Sequence, residues 1–436
     1  MAVPSIVTQV VQLGVESVAG QAVAATKRMS AMSFEPSPQT EINTFRPTGS
    51  KVAALTALNK EWAEGNLSGQ ATYTEIIYAL ASVMGNMSTA AEGATAAFRH
   101  TFHIKTRGQD TVKTFTIEKG DPFLGNAFRM TNVRINEFTL TFSHDGIEIG
   151  GSILGSAIEQ NVQMSTNEQQ LLTMSTAGGA ATGGTFTITY AAQTTAAIAY
   201  NASAAAVQTA LEALSNIEVG DVLVTGAAGG PWTIEFRQNL AQTNVASVTT
   251  DAALVTGPGS PYTLAVSTPT AGVPPTEVAL VPVLPTQVNI YLNDTYGAIG
   301  TTQLLNVLSV EVSIGNRFGT YWPLNRSLGS SFGGVLESVP DMSVTITLAN
   351  DDDAADFYTM MRAGATKFLR IECIGPQADG VAEYELVLDF ALAISNSQGF
   401  SEEDPIYAAG FDLAVVNDPT WGQGLSVEVV NLLSSL

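Results

Sequence analysis

Along most of this chain apolar and polar residues alternate with the two-residue period of half-buried β-strands. Thr185-Phe-Thr-Ile-Thr-Tyr190 is the plainest case. The same period predicts strands at Ala97–Arg107, Thr111–Glu118, Val133–Phe142, Ile147–Leu154, Val219–Thr225, Trp232–Phe236, Val245–Thr249, Tyr262–Val266, Leu308–Ile314, Met342–Leu348, Lys367–Ile374, Ala382–Ile394 and Tyr407–Val416. Helical spacing recurs at three places. Tyr73–Met84 puts Ile76, Ile77, Leu80 and Val83 on one face. Ala204–Leu214 repeats Val207, Ala210, Leu211 and Leu214, with Asn201 or Ser203 as N-cap. Ala354–Arg362 carries Phe357, Met360 and Met361. The fold class expected is mainly β.

The order of these elements suggests three domains. Gly-rich and Pro-rich stretches at 177–184 and 269–285 bracket a segment with six charged residues between Ser175 and Thr268. The expected division is a first domain at 1–174, an inserted α+β domain at 175–282 and a second domain at 283–436. The two flanks follow one plan about 280 residues apart: strand, long loop, strand, one helix, then three or more strands. The long loops are expected at Glu35–Asn66 and Gly315–Asp341. Duplication and the coincidence of two similar β-rich domains both fit this order. Loops of that length at matching places suggest contact with a neighbour. Their candidate contact residues are Phe45, Arg46, Lys51, Lys60 and Trp62 in the first, and Arg317, Tyr321, Trp322 and Arg326 in the second.

Composition narrows the function. Charged residues are 13% of the chain, about half the usual share, which suggests surface covered by other copies. The net charge of −22 argues against a protein that grips nucleic acid. Seven basic residues fall between Arg99 and Arg134, and none follows Arg370, while acids continue to Glu428. Lys105, Arg107, Lys113 and Arg134 would form a basic edge, and Glu383, Glu385 and Asp389 an acidic one, meeting between subunits; a dipolar surface with no partner is the other reading. Residues Ile6–Ala25 are interrupted by Gln9, Gln12, Glu16 and Gln21, so they are expected to be an arm packed on another surface rather than a membrane span.

Candidate chemistry is sparse. His100 and His103, three apart on a strand, face opposite sides and cannot share a metal, and His144 begins a turn. Cys373 lies in an apolar run and is expected in the core. Asn350-Asp-Asp-Asp353 lacks the glycine and the terminal glutamate of a calcium loop and is better read as a helix cap. No nucleophile elbow, phosphate loop or dinucleotide fingerprint occurs. The expectation is therefore no enzyme, no cofactor and no metal.

Three stretches resemble the tail tube (major tail) proteins of long, non-contractile-tailed bacteriophages infecting actinobacteria. They are Asn132-Val-Arg-Ile-Asn-Glu-Phe-Thr-Leu-Thr-Phe142, Gly151-Ser-Ile-Leu-Gly155 and Asn396-Ser-Gln-Gly-Phe-Ser-Glu-Glu-Asp-Pro-Ile-Tyr407. The segment Thr194–Leu214 is similar to a small module of such virions. The resemblance implies two tandem tube-like β-sandwich or barrel domains, each with one flanking helix. It implies a virion structural subunit whose rings stack into a tube with an acidic lumen for the genome. The partners implied are other copies of the chain, as a trimer of doubled subunits or a hexamer, the tape measure protein and genomic DNA in the lumen, and tail terminator and distal tail proteins at the ends, with no membrane. The alternative is a virion decoration or host-surface-binding protein acting through the insert.

Overall fold

The computed structural model describes residues 6–122, 127–162, 164, 167–175, 178–403 and 406–436, with the side chains of Ile6, Glu402 and Glu403 left aside. The chain is mainly β, with 51% strand, 10% helix and three α-helices among the described residues.

The first unit contains β1 (Val10–Val15), β2 (Lys27–Met29), β3 (Met32–Phe45), β4 (Leu55–Gln70), α1 (Ile76–Val83), β5 (Ser88–Ala91), β6 (Phe98–His103), β7 (Phe115–Gly120), β8 (Ala127–Ser143), β9 (Gly146–Gly155) and β10 (Glu159–Val162). Two layers share β8. Its second half pairs with β9, giving the antiparallel order β3-β4-β9-β8. Its first half pairs with β7 and β10, and β7 continues to β1 and β2.

The insert comprises β11 (Gln169–Met174), β12 (Thr185–Tyr190), β13 (Gln193–Thr194), β14 (Ile198–Ala199), α2 (Ala204–Glu212), β15 (Val222–Gly226), β16 (Trp232–Phe236), β17 (Thr249–Asp251) and β18 (Leu264–Thr270). It has its own hydrophobic core around Trp232, Phe186, Phe236 and Val207. As the spacing predicts, Ser203 caps α2 by accepting the Ala206 amide. The expected boundaries shift: β11 pairs with β16 and β18, so strand 169–174 belongs to the insert. At the far end Thr276–Glu277 pairs with β2, and Val278 joins the main core.

The second unit contains β19 (Thr276–Glu277), β20 (Val288–Asn293), β21 (Gln303–Leu304), β22 (Val307–Gly315), β23 (Phe318–Tyr321), β24 (Gly334–Glu337), β25 (Asp341–Ala349), α3 (Asp352–Ala363), β26 (Lys367–Asp379), β27 (Ala382–Glu403), β28 (Ile406–Val415) and β29 (Leu425–Asn431). Its strand order, β22-β25-β28-β27, repeats β3-β4-β9-β8. The long strand β27 is again shared between layers, pairing with β26 and β29 through its first half. A bulge marks the same place in both long strands. Ile135 opposes Ile153 and Glu137 opposes Ser152, leaving Asn136 extra; Ile394 opposes Leu413 and Asn396 opposes Asp412, leaving Ser395 extra.

The two units are fused. One continuous core contains Phe34, Leu67 and Phe138 from the first and Val310, Ile346 and Phe411 from the second. Strand β8 pairs with β22, and β6 pairs with β29. The helix α1 sits wholly inside this core, all eight residues buried, where its spacing predicts a single apolar face.

Four expectations need correction. The loop expected at 35–66 is a long hairpin, because β3 and β4 continue their pairing to Phe45 and Leu55. The loop expected at 315–341 contains the shorter hairpin β23–β24. The stretch expected as a strand at Val245–Thr249 is strand only at β17. The N-terminal segment packs on its own fold: β1 pairs with β7, and the buried Glu16 carboxylate accepts from Gly20, Thr114, Thr116 and Asn132.

Candidate assembly surfaces

The pairing of β8 with β22 joins the two four-stranded sheets into one antiparallel sheet of eight, in the order β3-β4-β9-β8-β22-β25-β28-β27. At this seam Phe138, Leu140 and Phe142 oppose Ile314, Val312 and Val310 on the core face, all buried. On the other face Thr139, Thr141 and Ser143 oppose Ser313, Glu311 and Ser309.

That second face is polar across all eight strands, and its alternation explains why. Every second residue enters the core, so the remainder are mostly Ser, Thr, Asn, Gln and acids, with Trp62 and Leu154 as apolar exceptions. Glu35, Glu64, Glu137, Glu148 and Glu311 are exposed there, and Asp412 is half-buried. Two basic side chains share the face, and hairpin β23–β24 covers both. Lys60 lies 5.5 Å from the Trp322 ring and pairs with Glu41 at 2.6 Å. Arg134 lies 5.4 Å from the Phe318 ring and donates to the Val335 carbonyl. The exposed part of the face is therefore mostly acidic, although Lys60 stays partly exposed and Glu35 is paired with Lys119.

Two strands end this sheet. Among the described residues no strand pairs with the outer side of β27 beyond Leu392, and none with the side of β3 away from β4. On β3 the even-numbered residues point their backbone groups outward. Glu61 donates its amide away from β3 to Ser330, so its partner Thr40 also faces away from β4, as do Pro38, Pro36 and Phe34 by strand period. The Phe34 carbonyl accepts from Lys119, in agreement.

The expected loop residues divide. Phe45, Arg46, Lys51, Tyr321 and Arg326 are exposed. Ile42, Val52, Leu55 and Leu58 join Phe45 as exposed apolar residues on the β3–β4 tip, which projects past β9. Trp62 and Trp322 meet edge to face at 5.7 Å, so the two hairpins pack on each other. Arg317 is no contact residue. It is fully buried, donates to the Val83 carbonyl, and pairs with Asp110 and Glu337. Burial acts to raise the Asp110 carboxyl, but bonds from the Lys105 amide, Asn86 and Arg317 hold it below its usual range.

The expected charged edges also resolve differently. Lys105, Arg107 and Lys113 are exposed on the loop between β6 and β7 rather than on a strand edge. Glu385 pairs with Arg99 at 2.9 Å, and Asp389 with Arg370 at 2.7 Å, inside the same chain. The Glu92 carboxylate, then Glu428 and Glu385, raise the Arg99 pKa, with burial opposing them. Glu383 is exposed, with no ion pair among the described residues. Asp404 and Pro405, in the quoted 396–407 stretch, lie outside the described residues.

Three of the residues weighed for chemistry, His100, Cys373 and Asp351, have structural roles. His100 is buried between Thr89 and Asn431, and that burial lowers its pKa. Cys373 is buried and its thiol is pushed up. Asp351 caps α3, accepting from the Asp353 and Ala354 amides. Among the described residues no group of three or more His, Cys, Asp or Glu is placed to hold a metal, and no helix is long and apolar enough to cross a membrane.

No family model matches the chain. A stretch of 102 residues is 39% identical to the tail sheath protein of Mycobacterium phage Bxz1, covering 23% of this chain and 16% of that protein.

Proposed function

We propose that the chain is a structural subunit of a bacteriophage tail, located in the virion, and that its role there is the tube wall. The relative supports a tail protein; its name is a sheath, so the tube reading rests on the sheet.

One observation carries the tube reading. Within the chain, two equivalent sheets meet edge to edge through β8 and β22, a junction of the kind that a tube wall would need between subunits. Repeating that junction between copies, with β27 of one beside β3 of the next, extends the sheet in the same register, apart from a second bulge of β27 that leaves Gln398 extra. Three copies would then close a ring from six equivalent units, which removes the exposed strand edges. The acidic polar face would line the channel, where it repels the phosphate backbone of a passing genome. Rings would stack head to tail through the projecting tip with Phe45 and Leu55. The opposite end of the sheet carries a groove of about 220 Å³ lined by Phe142, Leu304, Leu305 and Leu308 that suits an apolar tip. The tape measure protein would occupy the lumen before ejection, and terminator and distal proteins the two ends.

Electron microscopy of the purified protein tests this reading. Rings or tubes with a central channel and three-fold symmetry are expected. A monodisperse monomer under all conditions would sink the assembly, and six copies per ring would overturn the doubled-wall stoichiometry.

A further inference from the structure

The two ends of the eight-stranded sheet are unequal, and the inequality lies at positions that the internal junction defines. Strands β9 and β28 cover matching ten-residue ranges, and the shared bulge aligns β8 with β27. Following the registers across each sheet, Phe34, Pro36 and Pro38 of β3 occupy the places of Val310, Val312 and Ile314 of β22. Similarly, Ser397 and Phe400 of β27 occupy the places of Phe138 and Leu140 of β8, with Gln398 bulged out between them where β8 is regular.

At the internal junction Val310, Val312 and Ile314 turn three amides toward β8. Asn350 donates to Tyr407, so Ile346, two pairs along, also faces β28, and its partner Val310 faces away from β25. At the free edge the same row has one amide, that of Phe34, because proline has no N–H. The Phe34 carbonyl is already engaged by Lys119. Phe400, in contrast, is 64% exposed, although its counterpart Leu140 is fully buried against Val312. It stands beside Tyr358 of α3 with one side of its ring uncovered.

We infer that the surface closing the ring is the pair β27 to β3 of a second copy, with Phe400 seated on Pro36, and that the two prolines hold this edge back from pairing until side-chain packing completes it. The inference rests on the tube reading and specifies its seam. A bare β3 edge with three donors would accept any passing strand. With two donors missing, hydrogen bonds alone do not hold a partner, and burial of Phe400 becomes the condition for closure. Free subunits therefore stay soluble, and association is selective for the strand that carries an aromatic residue opposite Pro36.

Three variants test it. In Pro38→Cys with Ser397→Cys, at the facing places of Ile314 and Phe138, oxidation of assembled material is expected to give disulfide-linked trimers on a non-reducing gel; Cys373 is buried and does not compete. In Pro36→Val with Pro38→Val, assembly is expected at a concentration about tenfold lower or more, since two donors return to each seam. In Phe400→Ser, assembly is expected to be lost while the thermal melt of the monomer is unchanged. Tubes that form without the cross-link, or a valine variant that assembles no more readily than the wild type, overturn the seam and leave the tube reading intact. Absence of rings from the wild type under all conditions overturns both.

Discussion

Arg317 and Asp110 lie 207 positions apart and form an ion pair at 2.9 Å with both side chains excluded from solvent. The guanidinium also reaches Glu337 and the Val83 carbonyl, so it ties the start of hairpin β23–β24 to the end of α1 and to the β6–β7 loop. The hairpin in turn packs on Arg134 through Phe318 and on Lys60 through Trp322, so Arg317 anchors the element that sits over both basic side chains.

Arg317→Met should destabilise the protein by about 3–5 kcal/mol, because it leaves the buried Asp110 and the half-buried Glu337 without their shared cation. Urea unfolding measures this. Adding Asp110→Asn and Glu337→Gln to the same variant should recover part of the loss. A single variant as stable as the wild type would show that the pair contributes nothing net.

His100 links stability to pH in a definite direction. Its folded pKa is depressed by burial, so the unfolded chain takes up a proton first. Below the unfolded value of about 6.5, protonation therefore favours unfolding, and stability falls as the pH is lowered. Thermal melts between pH 7 and pH 5 should show that decline, and His100→Gln should flatten it. An equal slope in both proteins would assign the dependence to carboxylates instead.

How much of this was legible in the sequence depends on where each segment is buried. Strands with one face in the core, such as Thr185–Tyr190, show their period openly. The helix caps at Ser203 and Asp351 were legible because capping is local. The outer half of the β3–β4 hairpin was not, since both its faces meet solvent and Pro36 and Pro38 read as loop residues. The strands β1, β20 and β29 escaped because short runs interrupted by polar residues, such as Gln12, carry little period; Gln12 is buried nonetheless. Arg317 read as a surface residue because nothing near it in sequence announces Asp110. Glu385 and Asp389 read as unpaired for the same reason.

Removal of the insert should leave the remaining fold intact. The Glu168 carboxylate accepts from Val245 and from Gly272 at 3.4 Å, so the two ends of the inserted unit lie side by side. Deleting 167–272 and joining the ends with a short Gly-Ser linker should preserve the cooperative melt of the main core. Loss of that melt would show that the insert supports the wall.

The acidic face is open to a charge test that bears directly on the channel. Glu137, Glu148 and Glu311 are exposed, and none of the three forms a salt bridge among the described residues, so replacing each with Lys removes no internal partner. Such surface changes should alter stability by less than about 0.5 kcal/mol each. If this face lines a channel, tubes of the triple variant should retain DNA at low salt and release it as salt rises, while wild-type tubes retain none. Fluorescence anisotropy with a short duplex, read with and without assembly, separates the cases. Equal retention by both tubes would place these carboxylates outside the channel, and retention by the unassembled variant alone would put them at a surface that assembly covers.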